Sequence, residues 1–195
     1  VVLAGNPVVI NKENLQKNKY KFKNDLPTIL VMGGGTGALK LNKIIWQSVD
    51  RLTKFCNIIH LTGKGKGLEL KHDNYKSLEF LSQDDLFPII KDSDLVITRA
   101  GMSALTELAY CSKPTIIIPI PKSHQEDNAK YFAQQEAGVY LSQKDLTGNQ
   151  LTIKIKNLLD NAEQQKKISL NINQIFVSYS ADKIVEIINN IKKGG

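Results

Sequence analysis

The segment DLVITRAGMSALTELAYCSKPTIIIPIP, residues 94–121, contains a complete strand, helix and strand. An apolar run at 94–98 ends in Arg-Ala-Gly, an amphipathic segment carrying Glu107 follows, and a second apolar run ends in prolines. This order is typical of a parallel sheet with right-handed crossovers, in which ligands bind beyond the carboxyl ends of the strands. The turn before the helix is therefore a candidate place for a phosphorylated ligand, bound by the unpaired amides near Met102, Ser103 and Ala104.

The same alternation of strands and helices extends over the rest of the chain. Apolar runs bounded by turn residues predict strands at 1–3, 28–32, 57–61, 76–80, 95–98, 115–118 and 139–141. Amphipathic periodicity predicts helices at 37–49, 86–91, 103–111, 125–136, 151–161, 164–173 and 181–191. The predicted fold class is α/β, a Rossmann-like parallel sheet flanked by helices.

The first part of the chain reads as a connector. Residues 11–26 are polar, rich in Lys and Asn, and lack an apolar period. We expect residues 1–26 to form an inter-domain strand and connector, and residues 27–195 to form one domain that includes the C-terminal helices. The Lys-rich run at 12–23 is typical of a solvated face, with an anionic membrane surface as the functional alternative. The apolar face of the last helix covers either this domain or a missing partner domain.

The composition indicates a folded intracellular domain. A hydrophobic content of 42% over 195 residues supports a packed core. The net charge of +7 comes mostly from scattered Lys, so we expect no nucleic acid partner. Cys56 and Cys111 lack metal-ligand spacing and predict reduced core thiols. No membrane span or signal peptide is predicted, which favours a cytosolic location.

The loop GGGTGA at 33–38 follows a predicted strand and fits the dinucleotide pattern G-x-G-x-x-A. The next strand ends His60-Leu61-Thr62, without the acidic residue that a nicotinamide cofactor requires at its ribose. Neither this loop nor TGKGKG at 62–67 has the spacing of a Walker A loop. The remaining alternatives are a generic phosphate-binding loop and glycines needed only for a tight turn.

Polar side chains near the two candidate turns suit a sugar nucleotide. Glu107 lies one helical turn beyond Ser103 and could accept hydrogen bonds from ribose hydroxyls, or merely complement the helix dipole. Gln125 and Asn128 are three residues apart near a helix start, where paired amides suit sugar hydroxyls and helix capping equally. We find no catalytic triad, metal cluster or cofactor motif, and the catalytic residues remain unidentified.

Five motifs together resemble one family. GNPV (5–8), ILVMGGGTGA (29–38), EFL (79–81), the segment 94–121 and HQEDNA (124–129) are similar in order and spacing to the C-terminal half of the MurG glycosyltransferases. Those bacterial enzymes transfer N-acetylglucosamine from UDP-N-acetylglucosamine (UDP-GlcNAc) to the undecaprenyl-linked acceptor lipid I, which gives lipid II. The resemblance implies one half of a GT-B architecture, namely the donor-binding domain, and a peripheral position at the cytoplasmic face of the cell membrane.

The resemblance also implies roles for individual residues. It assigns the diphosphate to Gly34, Gly35, Thr36 and Gly37, uracil to the backbone of Leu81 with Phe80 nearby, the phosphate-facing helix start to Met102 and Ser103, the ribose to Glu107, and the sugar hydroxyls to Gln125 and Asn128. Two departures bear on donor affinity: Val9 replaces an Arg common in the family, and Gly35-Thr36 replaces Ser-Gln. The acceptor site and the catalytic base belong to the N-terminal half of the family.

Other functions compatible with the sequence are a half-sized eukaryotic donor subunit that requires a membrane-bound partner chain, and another GT-B lipid glycosyltransferase such as one using UDP-glucose. A different class is a non-catalytic nucleotide-binding or scaffold module. The inverting reaction implied by the family needs both halves, so we expect this chain to bind UDP or UDP-GlcNAc and to turn over little by itself.

Overall fold

The computed structural model describes residues 17–34, 38–176 and 181–193, with the side chains of 184–190 in the last segment. Six strands form one parallel sheet in the order β3-β2-β1-β4-β5-β6. The strands are β1 (Thr28–Met32), β2 (Asn57–Leu61), β3 (Tyr75–Leu78), β4 (Leu95–Thr98), β5 (Thr115–Ile117) and β6 (Val139–Tyr140). The predicted Rossmann-like sheet is confirmed.

Helices cover both faces of the sheet. They are α1 (Leu39–Trp46), α2 (Val49–Leu52), α3 (Gln83–Asp92), α4 (Met102–Tyr110), α5 (Gln125–Gln134), α6 (Gly148–Leu159), α7 (Ala162–Gln174) and α8 (Ala181–Lys193). Alternate residues of β1 point to opposite faces, because side chains of a strand have a period of two. Ile29 and Val31 join the core with α1 and α6, whereas Leu30 and Met32 join the core with α3, α4 and α7.

The order of the strands creates a crevice at the centre of the sheet. From β1 the chain proceeds outward to β2 and β3, then returns to β4 on the other side of β1. The connections after β1 and β4 therefore diverge to opposite sides, which opens a gap at the carboxyl ends of these two strands. Both glycine-containing turns predicted to bind phosphate begin at this gap, since Met32 and Thr98 are paired residues of the two strands.

Several boundaries differ from the prediction, and two of the differences affect the site. Strand β3 ends at Leu78 and not at Phe80, so Glu79 and Phe80 belong to the following loop. Helix α3 begins at Gln83, three residues earlier than predicted, because Ser82 caps it by accepting a hydrogen bond from the amide of Asp85 at 3.2 Å. The predicted long first helix is interrupted between Trp46 and Val49. The predicted strand at 1–3 lies outside the described residues.

Residues 17–26, the described part of the polar segment before β1, contact the rest of the domain through ion pairs and through apolar side chains. Lys19 pairs with Asp85 at 2.9 Å and Lys21 with Asp92 at 3.6 Å, although both lysines remain largely exposed. Tyr20 and Phe22 pack against the core on the α3 side of the sheet. At the opposite terminus, Val185 and Ile188 of α8 are about half exposed, at 53% and 47%. None of the described helices is long and apolar enough to cross a membrane.

Candidate functional site

A cavity of about 500 Å³ lies at the carboxyl ends of β1, β2 and β4. Its volume is within the range of small-molecule sites in proteins. Its walls come from four turns of the chain, and the lining residues are Met32, Gly34, Leu61, Gly63, Glu79, Phe80, Leu81, Gln83, Leu86, Gly101, Met102, Ser103, Ala104 and Glu107. The cavity therefore brings together Gly34, Phe80, Leu81, Met102, Ser103 and Glu107 of the predicted site.

The start of α4 is open towards this cavity. Its N-cap residue Gly101 has extended backbone angles and no side chain with which to bond the first amides, and the first turn contains no acidic residue. Helix α1 likewise has no side-chain cap and no acidic residue in its first turn. By contrast α6 and α7, which contribute nothing to the cavity, are capped by Thr147 and Asn161. The unpaired amides of α4 thus remain available to an anion.

Glu107 occupies the wall of the cavity one turn into α4. Its carboxylate accepts long hydrogen bonds from Gln83 Nε2 at 3.4 Å and from Ser103 Oγ at 3.5 Å. Burial raises the pKa of Glu107, and the bond from Ser103 partly opposes that rise. A half-buried carboxylate with only weak partners is well suited to accept stronger hydrogen bonds from ligand hydroxyls. Gln83 was not predicted, because the strand and helix boundaries around it were both misplaced.

The loop after β3 supplies a flat apolar wall. Phe80 is 58% exposed and Met102 43% exposed, although both are large apolar side chains. Leu81, Leu86 and Leu61 continue this surface into the cavity. Lys64 Nζ lies 5.1 Å from the centroid of the Phe80 ring, within cation–π range. An exposed aromatic ring beside an apolar slot suits a planar base, which stacks without requiring specific hydrogen bonds.

A second glycine-rich loop, 62–67, borders the cavity through Gly63. Gly63 and Gly65 have positive φ angles of 89° and 65°. The Gly63 amide donates to Glu79 O at 3.0 Å, and the Gly65 amide donates to Glu79 Oε1 at 3.2 Å. This loop was not predicted as part of the site, because its spacing does not match a Walker A motif. The available signal was its TGKGKG composition directly after a predicted strand.

Gln125 and Asn128 do not line the cavity. Gln125 Oε1 accepts a hydrogen bond from the Ile120 amide at 3.2 Å, and Asn128 Nδ2 donates to Ala100 O at 3.0 Å. Asn128 therefore contacts the turn that precedes α4. Their assignment to a sugar stays a prediction. The predicted residues Gly35, Thr36 and Gly37, and the motif GNPV with Val9, lie outside the described residues.

Arg99, directly before α4, has a supporting role that the sequence did not predict. It is 5% exposed, and its Nη1 donates to Ile118 O at 2.8 Å and to Pro119 O at 3.2 Å. Its Nη2 donates to Gln143 Oε1. Burial lowers the pKa of Arg99 to about 10, so the guanidinium stays charged at neutral pH. Arg99 ties the turn before α4 to the loop after β5.

No group of His, Cys, Asp and Glu side chains suited to a metal ion occurs among the described residues. His60 is fully buried beside Asn42 and Tyr75, which are its hydrogen-bond partners. Cys56 and Cys111 are free thiols, as predicted. Burial raises the pKa of each thiol to about 12, so neither is a nucleophile at neutral pH.

Comparisons with known proteins bear on the family. One relative is the UDP-N-acetylglucosamine–N-acetylmuramyl-(pentapeptide) pyrophosphoryl-undecaprenol N-acetylglucosamine transferase of Prochlorococcus marinus (strain NATL1A). The two sequences are 34% identical over 194 residues, and the alignment covers 90% of this chain and 54% of the relative. The same transferase of Nostoc sp. (strain PCC 7120 / SAG 25.82 / UTEX 2576) is 32% identical over 199 residues, covering 97% and 55%. This chain spans about half the length of these relatives.

Solved structures agree with the fold. MurG of Acinetobacter baumannii has a TM-score of 0.70 at 23% identity, covering 91% of this chain and 53% of its own. The glycosyltransferase VinC in complex with dTDP has a TM-score of 0.68 at 17% identity, covering 97% and 46%. At these identities the likeness concerns the fold, which is the GT-B half predicted from the sequence.

The family model described as the glycosyltransferase family 28 C-terminal domain matches residues 28–184. The match extends from the first residue of β1 into α8 and so includes the whole sheet and the cavity. This match and the two relatives confirm the resemblance to the MurG glycosyltransferases that was based on five motifs. The chain belongs to the glycosyltransferase family 28 C-terminal domain family.

Proposed function

We propose that this chain is the donor-binding half of a GT-B glycosyltransferase that holds UDP-GlcNAc for inverting transfer of the sugar to lipid I, giving lipid II. The observation that carries the proposal is the cavity in which an uncapped helix start, a half-buried carboxylate and an exposed aromatic ring meet. The names of the relatives, which are transferases of N-acetylglucosamine to a lipid-linked acceptor, support the same choice of substrates. In this proposal residues 27–195 form the donor domain and 1–26 the connector.

The parts of the donor are assigned by their chemistry. The diphosphate lies against the first amides of α4, at Met102 and Ser103, and against the glycine-rich loop that begins at Gly34. The ribose hydroxyls donate to Glu107. Uracil stacks near Phe80 and hydrogen-bonds to the backbone of Leu81, while Gln125 and Asn128 take the sugar hydroxyls. The start of α4, Glu107 and Phe80 all line this one cavity, which supports assigning the three parts of the nucleotide to them.

The contribution of this half to the reaction is the stabilisation of the leaving group. An acceptor hydroxyl attacks C1 of the sugar, the bond from C1 to the diphosphate oxygen breaks, and UDP leaves with both electrons of that bond. Negative charge grows on the diphosphate as the bond breaks, and the fixed dipole and amides of α4 meet that charge without reorganisation. The base that takes the acceptor proton comes from the other half of the enzyme. No metal or cofactor is required by this scheme.

The proposed acceptor is anchored by an undecaprenyl chain, so the proposed enzyme works at the cytoplasmic face of the cell membrane as a peripheral protein. The net charge of +7 would favour an anionic lipid surface. Nucleic acid is not expected as a partner.

The direct test is nucleotide binding by this chain, measured by calorimetry and by thermal unfolding with UDP, UDP-GlcNAc, UDP-glucose and dTDP. UDP at about 100 times its Kd should stabilise the fold by about 2.7 kcal/mol. For a domain of this size that corresponds to a rise in Tm of roughly 5–10 °C. Tighter binding of UDP-glucose than of UDP-GlcNAc would favour another lipid glycosyltransferase. Salt-sensitive binding to anionic vesicles without any response to UDP would favour a scaffold module and refute the proposal.

A further inference from the structure

A buried asparagine connects the first helix to the second glycine-rich loop. Asn42 of α1 is 0% exposed, and its Nδ2 donates to Thr62 O at 2.9 Å and to Lys66 O at 3.4 Å. The two carbonyls lie at the two ends of the turn that contains Gly63 and Gly65. With both hydrogens of its amide nitrogen engaged, Asn42 can take part in further bonding only through Oδ1, which accepts.

Because Oδ1 of Asn42 can only accept, it sets the direction of a longer series of hydrogen bonds. Oδ1 of Asn42 lies 3.1 Å from His60 Nε2, so Nε2 must carry the proton. His60 Nδ1 then accepts from the hydroxyl of Tyr75 at 2.9 Å, and that hydroxyl accepts from Trp46 Nε1 at 3.2 Å. Burial lowers the pKa of His60 to about 3, in keeping with a neutral ring. The hydrogen bonds therefore run in one direction, with each residue donating to the next, from Trp46 through Tyr75, His60 and Asn42 to the carbonyls of the 62–67 loop.

The loop at the end of this chain is part of the cavity wall. Gly63 lines the cavity, and Lys64 lies over the ring of Phe80. Two positive φ angles allow the loop to fold sharply, and its middle residues Lys64, Gly65 and Gly67 are exposed. Thr62 anchors the start of the loop, because its amide and hydroxyl both donate to Leu78 O, at 2.9 and 3.3 Å. Beyond Thr62, the bonds from Asn42 and the amide bonds to Glu79 connect the loop to the neighbouring elements.

We infer that Asn42 and His60 are positioning residues that fix the 62–67 loop as a wall of the nucleotide cavity. The inference rests on the proposed function for its ligand, a nucleoside diphosphate. Because Asn42 lies one turn into α1, the same bond also joins the 62–67 loop to that helix. Neither residue needs to touch the ligand, since both act through the loop.

The test compares Asn42→Ala with Tyr75→Phe in this chain. Asn42→Ala removes both bonds to the loop, whereas Tyr75→Phe breaks the chain at its far end and leaves Asn42 attached to the loop. Both should lower Tm. Only Asn42→Ala should speed amide hydrogen exchange in a peptide covering 62–67 and weaken UDP binding by about tenfold, as expected for the loss of two hydrogen bonds.

Two further measurements separate the possible outcomes. Asn42→Ser, whose side chain is one bond shorter, withdraws the donor from the loop carbonyls and serves if the Ala variant does not fold. Hydrogen exchange needs no ligand, so it tests the inference even if the parent chain fails to bind UDP and the proposed function is wrong. The inference is overturned if the Asn42 variants lower Tm while loop exchange and UDP affinity match those of Tyr75→Phe.

Discussion

Replacing Glu107 by Ala should weaken UDP binding by about 10- to 100-fold. A hydrogen bond to a charged group contributes about 1.5–3 kcal/mol, and the present partners of the carboxylate, at 3.4 and 3.5 Å, are long enough to be exchanged for ribose hydroxyls at little cost. That energy converts to roughly one to two powers of ten in Kd. Calorimetry of the parent and variant chains with UDP measures the difference directly.

The matched control is Glu107→Gln, which keeps the shape and one acceptor but removes the charge. Burial raises the pKa of Glu107, so the folded state binds this proton more tightly than the unfolded chain does. Above that pKa the buried, ionised carboxylate lowers the free energy of unfolding. At neutral pH Glu107→Gln should therefore keep or raise Tm while it weakens UDP binding. A fall in both Tm and affinity would mean that the carboxylate is structural.

The ribose assignment itself is tested by a double-mutant cycle with 2′-deoxy-UDP as the second change. If Glu107 bonds the ribose hydroxyls, the penalty of Glu107→Ala should shrink with the deoxy ligand, because part of the interaction has already been removed. Equal penalties with UDP and 2′-deoxy-UDP would refute a bond to the 2′-hydroxyl. Unchanged UDP affinity in the Ala variant would remove Glu107 from the site altogether.

Three further outcomes follow from the structure. Ser103→Asp places an acid among the first amides of α4, where it would compete with a diphosphate, so UDP binding should weaken. Repulsion from Glu107 one turn on opposes the helix-dipole gain of about 0.3–1 kcal/mol, so stability should change little, and calorimetry with a denaturant melt measures both. Because burial lowers the pKa of His60 to about 3 from its ordinary 6.5, the unfolded chain takes up a proton first on acidification, and stability should fall by up to about 1.4 kcal/mol per pH unit below pH 6.5, a slope that should flatten in His60→Gln. Gly148→Ala would place a Cβ 2.5 Å from Ser48 Oγ, so Tm should drop while UDP affinity stays unchanged, and a loss of affinity would show that stability and binding are not separable.

The sheet was predictable because its strands are short apolar runs buried on both faces, such as Leu95–Thr98, where every residue is buried. The site was less predictable. Glu107 and the start of α4 were found because spacing along one helix fixes their relation. Gln83 and Lys64 were not, because Gln83 begins a helix that was predicted to start three residues later, and Lys64 lies over Phe80 only through the fold of the 62–67 loop.

The buried polar chain was equally invisible in the sequence. His60 stands in β2 among the apolar residues Ile58, Ile59 and Leu61, and nothing local indicates that it bonds Asn42 and Tyr75. Tyr75 lies 15 residues after His60, on the neighbouring strand β3, and Asn42 lies 18 residues before it, on α1. Only the packing of α1 over β2 and β3 brings them together, which is why hydrogen-bond accounting for buried polar groups must follow the fold.

The charges of the cavity constrain how a nucleoside diphosphate can lie in it. The two ionisable side chains in the described lining, Glu79 and Glu107, are both acidic, so side chains of the lining itself repel a polyanion. Attraction must come from the amides of α4 and from lysines beside the lining such as Lys64, and helix-end charges act only within about a turn. These charges support the proposed position of the diphosphate at the start of α4, where the amides are. A diphosphate elsewhere along the lining would lose the α4 amides while the carboxylates of Glu79 and Glu107 still repelled it, so repulsion as well as attraction favours the proposed position.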